Sequence, residues 1–182
     1  PTQSLEYIHA TRAPRETPII DVGGGASTLA DHLLDEGYQD ITVADLAPAA
    51  LAQARARLGD RASRVQWIET DITRFTPARR YGIWHDRAVL HFLTEAAQRI
   101  RYVNVLRSAL ALGGDVILAT FGPGGPERCS GLAVVRYDAA QLGALLGVGF
   151  RLLRSELHEH VTPAGSIQQF QYGLWRSDQS SS

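Results

Sequence analysis

Four acidic residues, Asp21, Asp45, Asp71 and Asp86, each end or closely follow a short apolar run, and the first opens into Gly23-Gly24-Gly25-Ala26-Ser27. If these runs are strands of one parallel sheet, the carboxylates share its C-terminal rim, where open α/β sheets bind ligands. The glycines let the chain turn sharply and let a ligand approach the backbone. The helix that follows turns its free N–H groups toward the same spot. The stretch reads as a nucleotide- or nucleoside-binding turn after a first strand. Asp45 lies about twenty residues downstream, where an acid binds a ribose hydroxyl. Thr28 occupies the position of the third glycine in a G-x-G-x-x-G dinucleotide turn.

Charge narrows the ligand. Four carboxylates around one crevice repel a pyrophosphate. They suit a ligand with a cationic sulfonium, an amino group, ribose hydroxyls and an adenine amine. The plainer reading of any single one is a helix cap or a turn residue.

Beside the fourth acid, His85, Asp86 and His91 add titratable groups. A histidine, with a pKa of about 6.5, can take a proton from a nucleophile. His85 is the first candidate for a general base, with Asp86 a second or an orienting partner. The alternative is that Asp86 pairs with Arg87 or Arg136 and His85 only packs. The loop from Phe121 to Gly131 mixes flexible glycines with rigid prolines, which suits a lid over an acceptor. Arg128, Arg136 and Tyr137, with His91, are candidates for holding an anionic acceptor; solvated surface arginines are the alternative. Cys129 alone reads as an inert thiol. His158 and His160 share a strand face, but no close-spaced cysteine or acidic set joins them, so no metal is expected.

Positioning these residues requires alternating strands and helices. A leading helix is expected around Ser4–Ala10. Strands are expected at Pro18–Val22, Ile41–Ala44, Arg64–Ile68, Tyr81–His85 and Asp115–Phe121. Helices are expected over Ser27–Gly37, Pro48–Leu58, Thr94–Leu112 and Asp138–Leu146. In the long helix, Ile100, Val103, Leu106 and Leu110 are at core spacing. Two extended runs, Phe150–Val161 and Ser166–Arg176, joined by Pro163-Ala164-Gly165, read as a hairpin. The expected fold is α/β: a Rossmann-like doubly wound sheet, mostly parallel, of seven strands with a C-terminal antiparallel β-hairpin. Residues 1–176 are expected to form one domain, followed by a disordered tail at 177–182.

With 182 residues, the chain is long enough for one substantial core. A formal net charge of −1 supplies no field for nucleic acid or an anionic membrane, so neither is an expected partner. No apolar run reaches the ~20 residues that span a bilayer. The lone cysteine fits a reducing compartment, and no leader is visible, so a cytoplasmic location is expected. The chain has no methionine and begins at Pro1, so a segment before it is expected to be missing.

Over nearly its whole length the chain resembles a class I S-adenosylmethionine-dependent methyltransferase, as a small bacterial member without an assigned substrate. Ile20–Ser27 matches that superfamily's first motif, Val43–Leu46 the acidic second and Glu69–Ile72 the third. Tyr81–Arg87 falls where the fourth sits, without the Asn/Asp-Pro-Pro-aromatic pattern of adenine-N6 or glutamine methylation. The resemblance implies that S-adenosylmethionine is the cofactor and that Gly23, Gly24 and Gly25 approach its amino-acid end. It implies that Asp21 holds the ammonium group and that Asp45, beside Leu46, takes the ribose hydroxyls. Asp71 would accept from the adenine amine with Ile72 near the ring, and Trp84 or His85 would border the sulfonium methyl. The expected reaction is methyl transfer to a nucleophile on a small-molecule acceptor. A lysine side chain of a protein, a nicotinamide-dependent oxidoreduction and a non-catalytic cofactor-binding module are the alternatives.

Overall fold

The computed structural model describes residues 1–178. Seven strands form one sheet: β1 (Ile19–Val22), β2 (Ile41–Asp45), β3 (Val65–Glu69), β4 (Tyr81–Arg87), β5 (Leu110–Phe121), β8 (Phe150–Val161) and β9 (Ile167–Ser177). Their order is β3-β2-β1-β4-β5-β9-β8. The first five run parallel, and β9 enters antiparallel between β5 and β8. The strand order reverses between β1 and β4, the switch point at which such sheets open a crevice.

Five helices cover the two faces: α1 (Thr2–Thr11), α2 (Leu29–Asp35), α3 (Pro48–Leu58), α4 (Ala96–Ala109) and α5 (Ala139–Leu146). Alternation along each strand divides the core into two layers. On one face Ile19, Ile83, Ile117 and Tyr172 pack with Tyr7 and Ile8 of α1, Leu33 of α2 and Leu51 of α3. On the other, Ile20, Trp84, Val116 and Trp175 pack with Tyr102 and Leu106 of α4 and Leu142 of α5. This sheet, buried on both faces, accounts for the continuous apolar runs of its central strands.

Some boundaries differ from the sequence reading. α4 stops at Ala109 because Leu110 already pairs with Tyr81 in the sheet, and Gly113 at φ 67° turns the chain into the rest of β5. The helix presents Tyr102, Leu106 and Ala109 inward, whereas Ile100 is exposed. The expected lid, Phe121 to Gly131, runs into a small hairpin that extends past it, β6 (Arg128–Cys129) with β7 (Leu132–Ala133). Ser130 and Gly131 both take positive φ at its two-residue turn. The sheet continues to Ser177, and the Asp178 N–H donates to the Gly149 carbonyl. The remainder of the expected tail lies outside the described residues. Among the described residues no helix is long and apolar enough to cross a membrane.

Candidate donor and acceptor site

Two cavities open at the C-terminal edge of the sheet and share Val22 and Gly23 in their walls. The first, about 500 Å³, lies between the ends of β1, β2 and β3 and the segment after β4. Asp45, Leu46, Asp71, Ile72, Phe92 and Leu93 line it, and Leu132 and Ala133 of the small hairpin close one side. The second, about 340 Å³, is lined by Asp21, Gly24, Ser27, Thr28, His85 and Arg87, with Pro1 and Ser4 from the α1 end.

Each glycine of the turn is required by a specific neighbour. A Cβ on Gly24 would sit 2.1 Å from Asp21 Oδ2, and one on Gly23 would sit 2.1 Å from Val89 Cγ2. A Cβ on Gly25 would meet Asp45 Oδ2 at 2.8 Å and Ala50 Cβ at 2.9 Å. Gly23 also has φ 72°, where a side chain is strained.

The acids are held by backbone donors that leave accepting positions open. Asp45 Oδ2 accepts from the Gly25 N–H at 3.0 Å and Oδ1 from the Ala47 N–H at 2.8 Å. Asp71 Oδ1 accepts from the Thr73 hydroxyl and N–H at 2.8 and 2.9 Å. The hydroxyl bond above all holds the Asp71 carboxyl below the usual carboxylate range.

Asp21 and His85 are register partners on β1 and β4 and project to the same face. Both side chains are buried, and His85 Nδ1 lies 2.7 Å from Asp21 Oδ1. A carboxylate only accepts, so the ring donates from Nδ1, and the neutral tautomer compatible with this bond has its lone pair at Nε2. That Nε2 and Asp21 Oδ2 are both buried without a protein partner. Buried polar atoms are nearly always satisfied in native proteins, so two such atoms on one cavity wall mark a place for a ligand.

Asp86 is not part of this group. It points to the opposite face, accepting from the Val89 N–H at 2.9 Å, the Leu90 N–H at 3.2 Å and the Tyr102 hydroxyl at 2.5 Å. Burial pushes its pKa up to about 6 against these bonds. It braces the turn after β4. Trp84 shares that face, fully buried, with its Nε1–H donating to the Tyr102 hydroxyl at 3.0 Å, so it does not border either cavity. The alternative pairing of Asp86 with Arg87 or Arg136 is also absent, because Arg87 projects to the other face and Arg136 bonds to Glu127 and the Gly125 carbonyl.

The expected acceptor residues are dispersed. His91 is buried between Phe92 and Phe121, and its Nδ1 accepts the Phe121 N–H at 3.2 Å. Burial lowers its pKa to about 4, so it is neutral. Tyr137 is buried in the α4–α5 layer, where burial raises its phenol above its usual range. Arg128 is exposed, with its Nε–H 3.4 Å from the Gly131 carbonyl. None of the four lines either cavity. The residue that sequence reasoning missed is Arg87. It lies two positions after His85, hence on the same face, and that parity was the signal available. The chain bends just beyond it: Ala88 has φ 73°, a strained value for a residue with a side chain.

A family model described as a methyltransferase domain matches residues 19–114. The chain belongs to that family. Membership in the S-adenosylmethionine-dependent methyltransferase superfamily, expected from the sequence motifs, stands on this match together with the fold. The mouse eEF1A lysine and N-terminal methyltransferase is 26% identical over 109 residues, 59% of this chain and 16% of that protein. The chain therefore spans about a sixth of this relative's length. Among solved structures, the N-methyltransferase NodS from Bradyrhizobium japonicum WM9, in complex with S-adenosyl-L-homocysteine, superposes with a TM-score of 0.79 at 20% identity. The match covers 98% of this chain and 85% of that one. The Burkholderia thailandensis 1,6-didemethyltoxoflavin-N1-methyltransferase gives 0.75 at 20% identity, covering 97% and 77%. The chain shares their fold.

The residues present fit S-adenosylmethionine. Asp21 Oδ2 is an orphaned buried acceptor suited to an ammonium, and the missing Cβ of Gly24 leaves room for that carboxylate oxygen. Asp45 keeps lone pairs for a diol, and apolar Leu46, Ile72 and Leu93 flank the larger cavity as a flat ring requires.

Proposed function

We propose that this methyltransferase transfers a methyl group from S-adenosylmethionine to an amine nitrogen of a small-molecule acceptor, and that His85 takes the proton the amine must lose. The observation that carries this reading is the buried Asp21–His85 pair, with an open polar atom on each partner in one cavity wall.

Asp45 and Asp71, with Leu46 and Ile72, would hold the ribose and adenine in the larger cavity. Asp21 and the Gly23–Gly25 backbone would hold the amino-acid end. S-adenosylmethionine supplies an electrophilic methyl on a sulfonium, whose sulfur–carbon bond breaks to a neutral thioether as the nitrogen–carbon bond forms. An amine reacts only through its free lone pair, so an ammonium must first be deprotonated. His85 Nε2 is the accepting atom, and Asp21 keeps the ring in the required tautomer and stabilises the imidazolium. The walls exclude water and align the two reactants, which contributes much of the acceleration in such displacements.

The test combines a binding and a transfer measurement. S-adenosylhomocysteine and NAD are titrated calorimetrically into the protein, and labelled S-adenosylmethionine is then offered with amines, phenols, thiols and a peptide carrying lysine and N-terminal amines. The reading expects S-adenosylhomocysteine to bind, NAD not to bind, and label to appear on free small amines. Label on phenols, on thiols or on the peptide alone overturns the acceptor assignment. Binding without any transfer supports a non-catalytic module.

A further inference from the structure

The geometry points to Arg87 as a specificity-determining residue: it pairs with a carboxylate on the acceptor, so that the preferred acceptor is a small amine that also bears a carboxylate. This rests on the reading above that an amine is methylated beside His85.

Arg87 and His85 lie two residues apart on β4, project to one face and line the same cavity. The Arg87 guanidinium sits over the Phe170 ring, 4.8 Å from its centroid, and its Nε–H donates to the Tyr172 hydroxyl at 3.1 Å. Neither partner is a carboxylate. Among the described residues no carboxylate pairs with Arg87, unlike Arg57, Arg79 and Arg176, each of which binds an aspartate. Arginine stays protonated at all working pH values, and its planar fork matches a carboxylate through two parallel N–H groups. With Nε engaged by Tyr172, both terminal nitrogens remain for such a ligand.

The direction of the side chain assigns it to the acceptor rather than the donor. Asp71, Asp45 and Asp21 stand at the ends of β3, β2 and β1, on one side of β4. Phe170 and Tyr172, which anchor Arg87, lie on β9, two strands beyond β4 on the other side. Acids and the unpaired cation are thus segregated across the rim, with His85 between them. A zwitterionic acceptor would place its amine at His85 and its carboxylate at Arg87. The second cavity is about 340 Å³ and must also hold the amino-acid end of the donor, so the acceptor is small.

The experiment uses the protein saturated with S-adenosylhomocysteine. Glycine, β-alanine and anthranilate, and the amide of each, are titrated calorimetrically into wild type, Arg87→Gln and Arg87→Lys, and thermal melting confirms that the variants fold. The expected result is that at least one carboxylate binds wild type tenfold or more tightly than its amide. Arg87→Gln removes that preference, Arg87→Lys retains part of it, and affinity for S-adenosylhomocysteine stays within about threefold. Equal binding of carboxylates and amides, or no binding of either, overturns the proposal while leaving the methyltransferase reading intact. A tenfold loss of S-adenosylhomocysteine affinity in Arg87→Gln, with no such loss for 5′-methylthioadenosine, also overturns it, because Arg87 would then hold the donor's carboxylate. Failure of wild type to bind S-adenosylhomocysteine defeats the underlying reading instead.

Discussion

His85 Nδ1 lies 2.7 Å from Asp21 Oδ1 across the β1–β4 register, and each partner keeps its second polar atom buried and unpaired. One hydrogen bond therefore fixes a proton acceptor, His85 Nε2, next to an anionic acceptor, Asp21 Oδ2. Removing either member leaves a buried charge or dipole without compensation.

Replacing His85 with Ala is expected to lower kcat by roughly 10²–10⁴-fold near neutral pH, the range of general-base contributions. The loss should shrink as pH rises, because the amine then sheds its own proton. Rate–pH profiles with saturating donor check this, and a deficit that is constant with pH argues for a packing role.

Asp45→Ala is expected to weaken S-adenosylhomocysteine binding by about 1.5–3 kcal/mol, the scale of a hydrogen bond to a charged group. Asp45 also accepts from Gly25 and Ala47, so part of the loss comes from a loosened turn. Asp45→Asn, which keeps one accepting oxygen, should fall between. Calorimetry on both variants tests the ribose assignment, and unchanged affinity in Asp45→Ala would refute it.

Asp86→Ala should act on stability instead. It strands two backbone N–H groups and the Tyr102 hydroxyl, a cost of about 3 kcal/mol or more at ~1–3 kcal/mol per buried unpaired group. Urea unfolding should show that loss, while the folded protein keeps its affinity for S-adenosylhomocysteine. A selective loss of affinity without destabilisation would restore Asp86 to the binding site.

The pH dependence of stability carries two opposing contributions. The His91 pKa is lowered to about 4 by burial, so between about 6.5 and 4 the unfolded chain binds the proton that native His91 refuses. Stability contributed by His91 is present above that window and is lost as pH falls through it. Asp86, raised to about 6, acts with the opposite sign between about 6 and 3.8, where the native state binds the extra proton. His91→Asn should therefore lose less stability than wild type on acidification from pH 6.5 to 4. Chemical unfolding at stepped pH measures the difference, and parallel curves for the two proteins contradict the buried neutral assignment.

The strands and the rim acids were legible in the sequence because each parallel strand is a short apolar run closed by a polar residue, and Asp21, Asp45 and Asp71 stand at those closures. The fourth strand was only half legible. His85 and Asp86 are adjacent in sequence, which suggested one site, but adjacent strand residues face opposite sides, so Asp86 braces α4 while Arg87 joins His85. Which parity faces the cavity depends on how α1 and α4 pack, a long-range matter. The roles of Arg136 and of Leu132 likewise arise from how the loop folds back, with the Arg136 guanidinium on the Gly125 carbonyl and Leu132 over the larger cavity. No local pattern in the glycine- and proline-rich stretch encodes that return.

The outermost strand, β8, offers a row of unpaired backbone groups and exposes Leu152, Leu157 and Val161. Such a margin invites further strands from other chains and so seeds aggregation. Here the register slips between Leu152 and Arg154, a bulge that twists the border, and Arg151, Arg154, Glu156 and Glu159 distribute both signs of charge along it. A bulge and mixed charges blunt such an edge, so neutralising these charges together would leave the margin a better template for intermolecular pairing.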